Sequence, residues 1–373
     1  LSSKPRIALV STMISPFQVE LARAINDLGT VEYHCFFTVK ESANRGKHWL
    51  ADQSREGYIH TSADWADMDE LADWTERELR EIQPDIIVRN GILRSISWAA
   101  TQRIRDRFPG VPFGSWLEHP DFSTGPVGKR LATEVMARRQ LRDVPFIMAI
   151  GDKAQRYYQR IAPHADVSMV PYGQDLTPVF AIERPEAAPQ MPTFLFSGQL
   201  VGRNNIPGIV AAFDKLAQTH PGQFRFVNAG VGPLDSLVQG LMSRSRVFAD
   251  CITFDRYYDT WDERLRPFRD SNVLLAPYHH AGWCFVVPEA MASGMPVIAT
   301  RNVAAARYFL RHEVNGLVCQ TDSDDIHRAM VRFVEDPQAI HRMGTAARES
   351  AREGDVTYIA ERWVEACLRV LGR

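Results

Sequence analysis

Short apolar runs rich in β-branched residues alternate along this chain with amphipathic stretches of helical period. That alternation predicts a parallel sheet covered by helices on both faces. Ile7-Ala8-Leu9-Val10 reads as the first strand, followed by a helix over 18–28 and a second strand over 31–38. A helix over 71–82 is closed by Pro84, and Asp85-Ile86-Ile87-Val88 then forms a buried strand. A helix over 96–108 leads into a further strand over 111–116.

The rhythm breaks at 181–192, where Pro185, Pro189 and Pro192 sit among small and charged residues, the composition of a linker. It then restarts. Strands are expected at 193–196, 224–228, 252–254, 273–276 and 296–299, with a helix over 207–220 and a last one over 357–371. The reading is therefore an α/β chain of two Rossmann-like domains facing across a cleft. The first spans 1–182 and is completed by a C-terminal helix within 355–373, and the second spans 190–354. A length of 373 residues fits two cores better than one.

Composition narrows the function classes. A net charge of −2 argues against a surface devoted to nucleic acid, though not against a local basic patch. The five cysteines are scattered, without CxxC spacing, which speaks for a reducing compartment with neither a disulfide framework nor a zinc ribbon. The start at Leu1 carries no charged segment ahead of an apolar one, and no run approaches the ~18 apolar residues of a membrane span. A cytoplasmic protein is expected, with no cofactor and no metal. The pair His279-His280 near Cys284 lacks a further ligand at zinc spacing.

The most informative stretch is Ala281-Gly282-Trp283-Cys284-Phe285-Val286-Val287-Pro288-Glu289-Ala290-Met291-Ala292-Ser293-Gly294-Met295-Pro296-Val297-Ile298. It reads as a loop, a short helix from about Val287, a stop at Gly294 and a buried strand. Glu289 falls in the first helical turn, where its carboxylate can accept hydroxyl hydrogen bonds from a ribose while nearby amides face a phosphate.

This stretch resembles the signature of glycosyltransferase family 4, the retaining enzymes of the GT-B fold, whose pattern runs like "EGFGLVPLEAMACGTPVI". Four more segments carry the resemblance in order. Phe194 to Leu200 with Arg203-Asn204-Asn205-Ile206 is similar to the "GRL…RKN" segment, and Asn228 to Leu234 to the "GxGP" turn. Met169 to Asp175 is similar to "vipnGvD", and Asn315-Gly316-Leu317-Val318 to "NGxLv". The resemblance implies a metal-independent, retaining transfer of a sugar from a nucleotide-sugar donor to a hydroxyl of a glycan, lipid-linked or small-molecule acceptor. It also implies the GT-B architecture, with the final helix crossing back to the first domain. It assigns Glu289 to the ribose, and Gly198, Gln199, Asn204, Gly230, Gly232, Trp283, Phe285 and Val286 to the donor's base and phosphates.

Three positions depart from the family pattern. Its first motif Glu falls on Ala281, the Arg of "GRL" on Gln199 and the Lys of "RKN" on Asn204. The lost Arg and Lys would stabilise the leaving diphosphate, a role worth ~3–4 kcal/mol for one well-placed donor. Arg203 is the candidate substitute cation. A donor with less phosphate charge, a phosphosugar donor and a non-catalytic accessory role stay open at this point.

In the first domain, Glu118-His119-Pro120-Asp121 follows a strand, and by the resemblance His119 would contact the donor sugar. The strand-end segments Thr12 to Gln18 and Arg89-Asn90-Gly91 are further candidates, and Asn44 to Trp49 is a basic, aromatic loop. Lys129, Arg130, Arg138, Arg139 and Arg142 share a helical stretch with Leu131, Val135, Met136 and Leu141. Such a face either is solvated or touches an anionic membrane at the inner face.

Overall fold

Prolines mark the starts of several elements, because a residue without an N–H costs little in a first helical turn and cannot donate to a ladder. The structure, a computed structural model, describes residues 4–39, 56–61, 68–91, 103, 105–120, 127–244, 252–253 and 261–373. The chain divides into two units, 1–175 with 354–373, and 176–353.

The first unit runs β1 (Arg6–Met13), α1 (Pro16–Asp27), β2 (Glu32–Val39), β3 (Ile59–Thr61), α2 (Met68–Ile82), β4 (Ile86–Asn90), β5 (Phe113–Glu118), α3 (Val127–Gln140), β6 (Phe146–Ile150), α4 (Asp152–Ile161) and β7 (Asp166–Met169). Its strands form one parallel sheet in the order β3-β2-β1-β4-β5-β6-β7. The strands β4 and β6 are buried at every position, as strands covered on both faces must be, β4 ending in the buried Arg89 and Asn90. β5 starts two residues later than its apolar run predicts, because Pro112 offers only its carbonyl, to Ile87 N at 3.0 Å. The strands β3, β6 and β7 and the helix α4 were not resolved by the sequence pattern. The expected helix over 96–108 falls largely outside the described residues.

The second unit runs α5 (Thr177–Phe180), β8 (Thr193–Gln199), a 3-10 turn (Gly202–Asn204), α6 (Ile206–Thr219), β9 (Arg225–Val231), α7 (Asp235–Arg244), β10 (Ile252–Thr253), α8 (Trp261–Arg269), β11 (Val273–Ala276), α9 (Val286–Ala292), β12 (Val297–Ala299), α10 (Ala304–Phe309), β13 (Gly316–Val318), α11 (Ser323–Glu335) and α12 (Gln338–Ala351). Its sheet is again parallel, in the order β10-β9-β8-β11-β12-β13. The proline-rich stretch expected to link the domains belongs to this unit. There Arg184 donates to the carbonyls of Ser293, Ser271 and Phe268 at 2.6–2.7 Å.

The last helix, α13 (Val356–Val370), belongs to the first unit and packs on α1. Asp355 caps it, accepting from Thr357 N at 3.0 Å, and Val356 N donates to Gln174 O at 2.9 Å. Apolar residues at helical spacing, Ile359, Ala360, Trp363, Val364 and Cys367, form its buried face. The Trp363 ring meets Tyr33 edge-on at 4.8 Å and Trp116 at 6.2 Å, and Trp116 meets Tyr172 at 4.9 Å. Gly173 makes this docking possible, since a Cβ there would stand 2.7 Å from the Ile359 side chain.

A small polar cluster joins β2, β3 and α2. His34 Nδ1 lies 3.2 Å from His60 Nε2, and His60 Nδ1 lies 3.5 Å from Glu78 Oε2. Burial first, then the neighbouring His60 and Arg6, holds the His34 pKa down to about 4, and burial lowers His60 as well. A histidine depressed by folding binds fewer protons in the folded state. Its stabilisation is therefore present above its ordinary value near 6.5 and is lost as the pH falls toward 4. Urea unfolding of the wild type is expected to lose about 2–3 kcal/mol between pH 7 and 4 through this group, after discounting for partial solvent screening. His34→Gln should flatten that part of the slope, and an unchanged slope would exclude the cluster as its source.

Candidate active site

Strand order in the second sheet reverses between β8 and β11, so the loops leaving their carboxyl ends part to opposite faces. β8 buries Phe194, Leu195 and Phe196 and then emerges. Gly198 is exposed at φ 148, a conformation side chains rarely adopt, and no atom crowds its Cβ position closer than the Tyr278 hydroxyl at 3.6 Å. Gly230 and Gly232 differ. A Cβ on Gly230 would stand 2.4 Å from Gly198 O, and one on Gly232 would stand 2.7 Å from Leu200 O. Their close approach is to protein backbone, so a side chain at either position would force the strand ends apart.

The following turn carries the substituted positions. Gln199 is exposed. Asn204 is buried and its Nδ2 donates to Gln199 O at 2.7 Å, so its amide serves the turn. Arg203 is exposed, with Nη2 3.4 Å from Gln199 Oε1, and its carbonyl accepts from the backbone N–H of His279 at 3.0 Å and of His280 at 3.4 Å. Asn205 holds the turn in place. It sits in the left-handed region at φ 57, and its Nδ2 donates to Pro277 O at 3.0 Å and to Thr321 O at 2.8 Å. It thereby ties the end of β8 to the exits of β11 and β13.

The loop between β11 and α9 is fixed from β12's side. Ala281 N donates to Asn302 O at 3.3 Å, and the carbonyls of Gly282 and Trp283 accept from Ala304 N and Ala305 N at 3.1 and 3.0 Å. Trp283 is buried against Tyr308 and Phe309. It serves the domain's core, and its Nε1–H finds no partner among the described residues. Cys284 stands at φ 69, where the family pattern has glycine, and burial followed by the Glu289 charge pushes its thiol up to about 12. Phe285 precedes α9 and Val286 opens it, both half-buried. Glu289 occupies the first turn as expected and is only 8% exposed. The helix stops at Gly294, φ 81, with Met295 N donating to Ala290 O at 2.9 Å.

The residue that sequence reasoning missed is Arg264. Its Nη2 lies 2.6 Å from Glu289 Oε1, although 25 residues separate them in the chain. In sequence it is one of several charges in Asp262-Glu263-Arg264-Leu265-Arg266, and nothing local singles it out.

In the first unit, His119 follows β5 half-buried, its ring edge-on to Tyr157 at 5.1 Å. Arg89 corrects an expectation. It is wholly buried, with Nε donating to Ser115 Oγ at 3.0 Å and Nη2 3.4 Å from Gln140 O, so it braces the sheet against α3 instead of facing a ligand. On α3, Leu131 and Val135 are 62% and 66% exposed, one turn apart, and Arg130, Arg139 and Arg142 are exposed near them. The loop Asn44 to Trp49 and Asp121 lie outside the described residues.

With this geometry in hand, comparison with known proteins is decisive for the second unit. Residues 180–350 match the family described as glycosyl transferases group 1. The second unit is a group 1 glycosyltransferase domain. The chain as a whole has the GT-B fold, superposing on sucrose-phosphate synthase from Thermosynechococcus elongatus with a TM-score of 0.75 at 17% identity, over 99% of this chain and 100% of that one. Anabaena HepE in complex with UDP-glucose gives 0.71 at 15% identity, over 98% and 99%. In sequence, D-inositol 3-phosphate glycosyltransferase from Streptomyces griseus is 34% identical over 106 residues, which are 28% of this chain and 22% of that protein. The curated relatives are matched over 22–40% of their own length. In the glycosyltransferase domain the motif residues thus stand at the switch point of its sheet.

Asn205 is the residue on which this arrangement is expected to depend. Asn205→Ala loses two buried hydrogen bonds and leaves a non-glycine residue without local support at positive φ, costing about 2–4 kcal/mol. Asn205→Gly keeps the backbone and should cost less. Chemical denaturation that ranked the two the other way would contradict the assignment.

Proposed function

We propose that the chain is a glycosyltransferase of the family 4 type, moving a sugar from a nucleotide-sugar donor to a hydroxyl acceptor with retention and without a metal ion. The observation that carries this reading is Glu289. It is a nearly buried carboxylate in the first turn after the switch-point loop of a group 1 domain. Two carboxylate oxygens can accept the two hydroxyls of a ribose diol, which fixes the nucleoside and places its phosphates toward Gly198 and the Arg203 turn. HepE, solved with UDP-glucose, makes uridine the first base to test.

In the reaction the bond from the anomeric carbon to the donor phosphate oxygen breaks. The acceptor oxygen forms its bond on the same face, and the acceptor proton passes to the departing phosphate. No side-chain base is then required. The protein's task is to hold the donor and spread the charge that develops on the phosphate, for which Arg203 is the exposed cation nearest the substituted turn.

A second reading has its own observation. Gln199 and Asn204 bring no charge, and Asn204 is committed to the turn. That suits a donor with one phosphate or a binding role without turnover. On the acceptor side, the exposed Leu131 and Val135 between arginines favour a lipid-linked acceptor at an anionic bilayer. Among the described residues no helix is long and apolar enough to cross a membrane.

Thermal shift with nucleoside mono- and diphosphates, with and without magnesium, tests the donor. A metal-independent rise for one base is expected, since ligand at ~100 times Kd adds about 2.7 kcal/mol. Glu289→Ala should weaken that nucleotide about 10- to 100-fold. No rise with any nucleotide would reject the donor class, and a preference for the monophosphate would favour the second reading. For the acceptor side, sedimentation with phosphatidylglycerol vesicles should fall on replacing Leu131 and Val135 by serine. Equal sedimentation of wild type and variant would dismiss membrane contact through α3.

A further inference from the structure

The carboxylate that would hold the ribose already carries a cation. Arg264 Nη2 lies 2.6 Å from Glu289 Oε1, and the two side chains are unequally placed, 43% exposed for Arg264 and 11% for Glu289. A carboxylate so nearly buried is costly without a partner, and the arginine supplies one while keeping part of its length in solvent. The pair therefore satisfies the Glu289 carboxylate. A ribose diol arriving at Glu289 must compete with it.

A second observation comes from the turn after β8. A nucleoside diphosphate brings at least two negative charges, yet Gln199 is neutral and Asn204 is turned to the Gln199 carbonyl. Arg203 is exposed there, beside Gln199. The turn thus offers a phosphate Arg203 but no cation at 199 or 204, while a partly exposed guanidinium sits on the residue that the ribose would claim.

We propose that Arg264 is a counter-ion exchanged on donor binding. It rests on Glu289 while the site is empty and turns to the donor's phosphates when the ribose diol takes its place. This rests on the nucleotide-sugar reading above. The exchange leaves no bare charge at either end: the diol's hydroxyls replace the guanidinium on the carboxylate, and the phosphate replaces the carboxylate on the guanidinium. A planar guanidinium suits this role because its paired N–H groups match carboxylate and phosphate oxygens alike. In this account Arg264 does the work of the cations absent from 199 and 204, from another helix of the same domain.

The exchange predicts effects of opposite sign for ligands with and without phosphate. Binding of uridine, adenosine and guanosine, each as the free nucleoside and as the 5′-diphosphate, is measured by calorimetry on the full chain. For the base that binds, Arg264→Gln should weaken the diphosphate about tenfold, the scale of one charge-assisted contact, and tighten the nucleoside about threefold by removing its competitor. Arg264→Lys should show the same signs at smaller amplitude, and carries the test if Arg264→Gln melts early. Equal weakening of nucleoside and diphosphate would mean that Arg264 only positions Glu289, and would overturn the exchange. Unchanged affinities for both would overturn it too. In either case a wild type that binds diphosphate leaves the nucleotide-sugar reading standing. A wild type that binds no diphosphate would remove that reading and the exchange together.

Discussion

The constraint on which the glycosyltransferase domain depends is the geometry of a parallel sheet whose strand order reverses. Parallel strands send all their connections off the same ends, and where the order changes, neighbouring loops leave in opposite directions and cannot cover the gap. In the second sheet that gap lies between β8 and β11. Every feature of the candidate site is a way of building a stable rim around it. Gly198 opens the backbone, Asn205 pins one loop to the exits of two other strands, and the bonds from 302–305 pin the loop that leads to Glu289.

The same constraint separates packing from ligand chemistry among residues that look alike in sequence. Gly230 and Gly232 press against the backbone at Gly198 and Leu200, whereas Gly198 is exposed and meets only side-chain ends, the nearest the Tyr278 hydroxyl at 3.6 Å. Asn204 and Asn205 are adjacent and both buried, yet each amide is directed to backbone carbonyls. Arg89 and Arg203 both follow or end a strand, but one braces the sheet and the other reaches solvent. Residue type gives the chemistry available, and the third dimension decides whether a ligand or the protein itself consumes it.

The buried charge of the candidate site is paired across elements. Glu289 is nearly buried and would be costly alone, and Arg264 neutralises it. The side chains at 199 and 204 are neutral, and the cations near the candidate site come from Arg203 and Arg264.

Much of this was legible in the chain alone. Continuous apolar runs and period-3.6 stretches, punctuated by proline, announced two parallel α/β series, because burial on both faces demands continuous apolar strands and one-sided burial demands amphipathic helices. The run from Ala281 to Ile298 announced the site, since loop, short helix, glycine stop and strand are local events. Strands β3, β6 and β7 escaped because short apolar runs are ambiguous between strand and helix until neighbours are known. The placement of Arg89 beneath α3, the crowding at Gly230 and Gly232, and the Arg264–Glu289 pair were decided only by tertiary structure. Each joins or packs groups from different elements, and the free energy of such contacts depends on positions that no local pattern encodes.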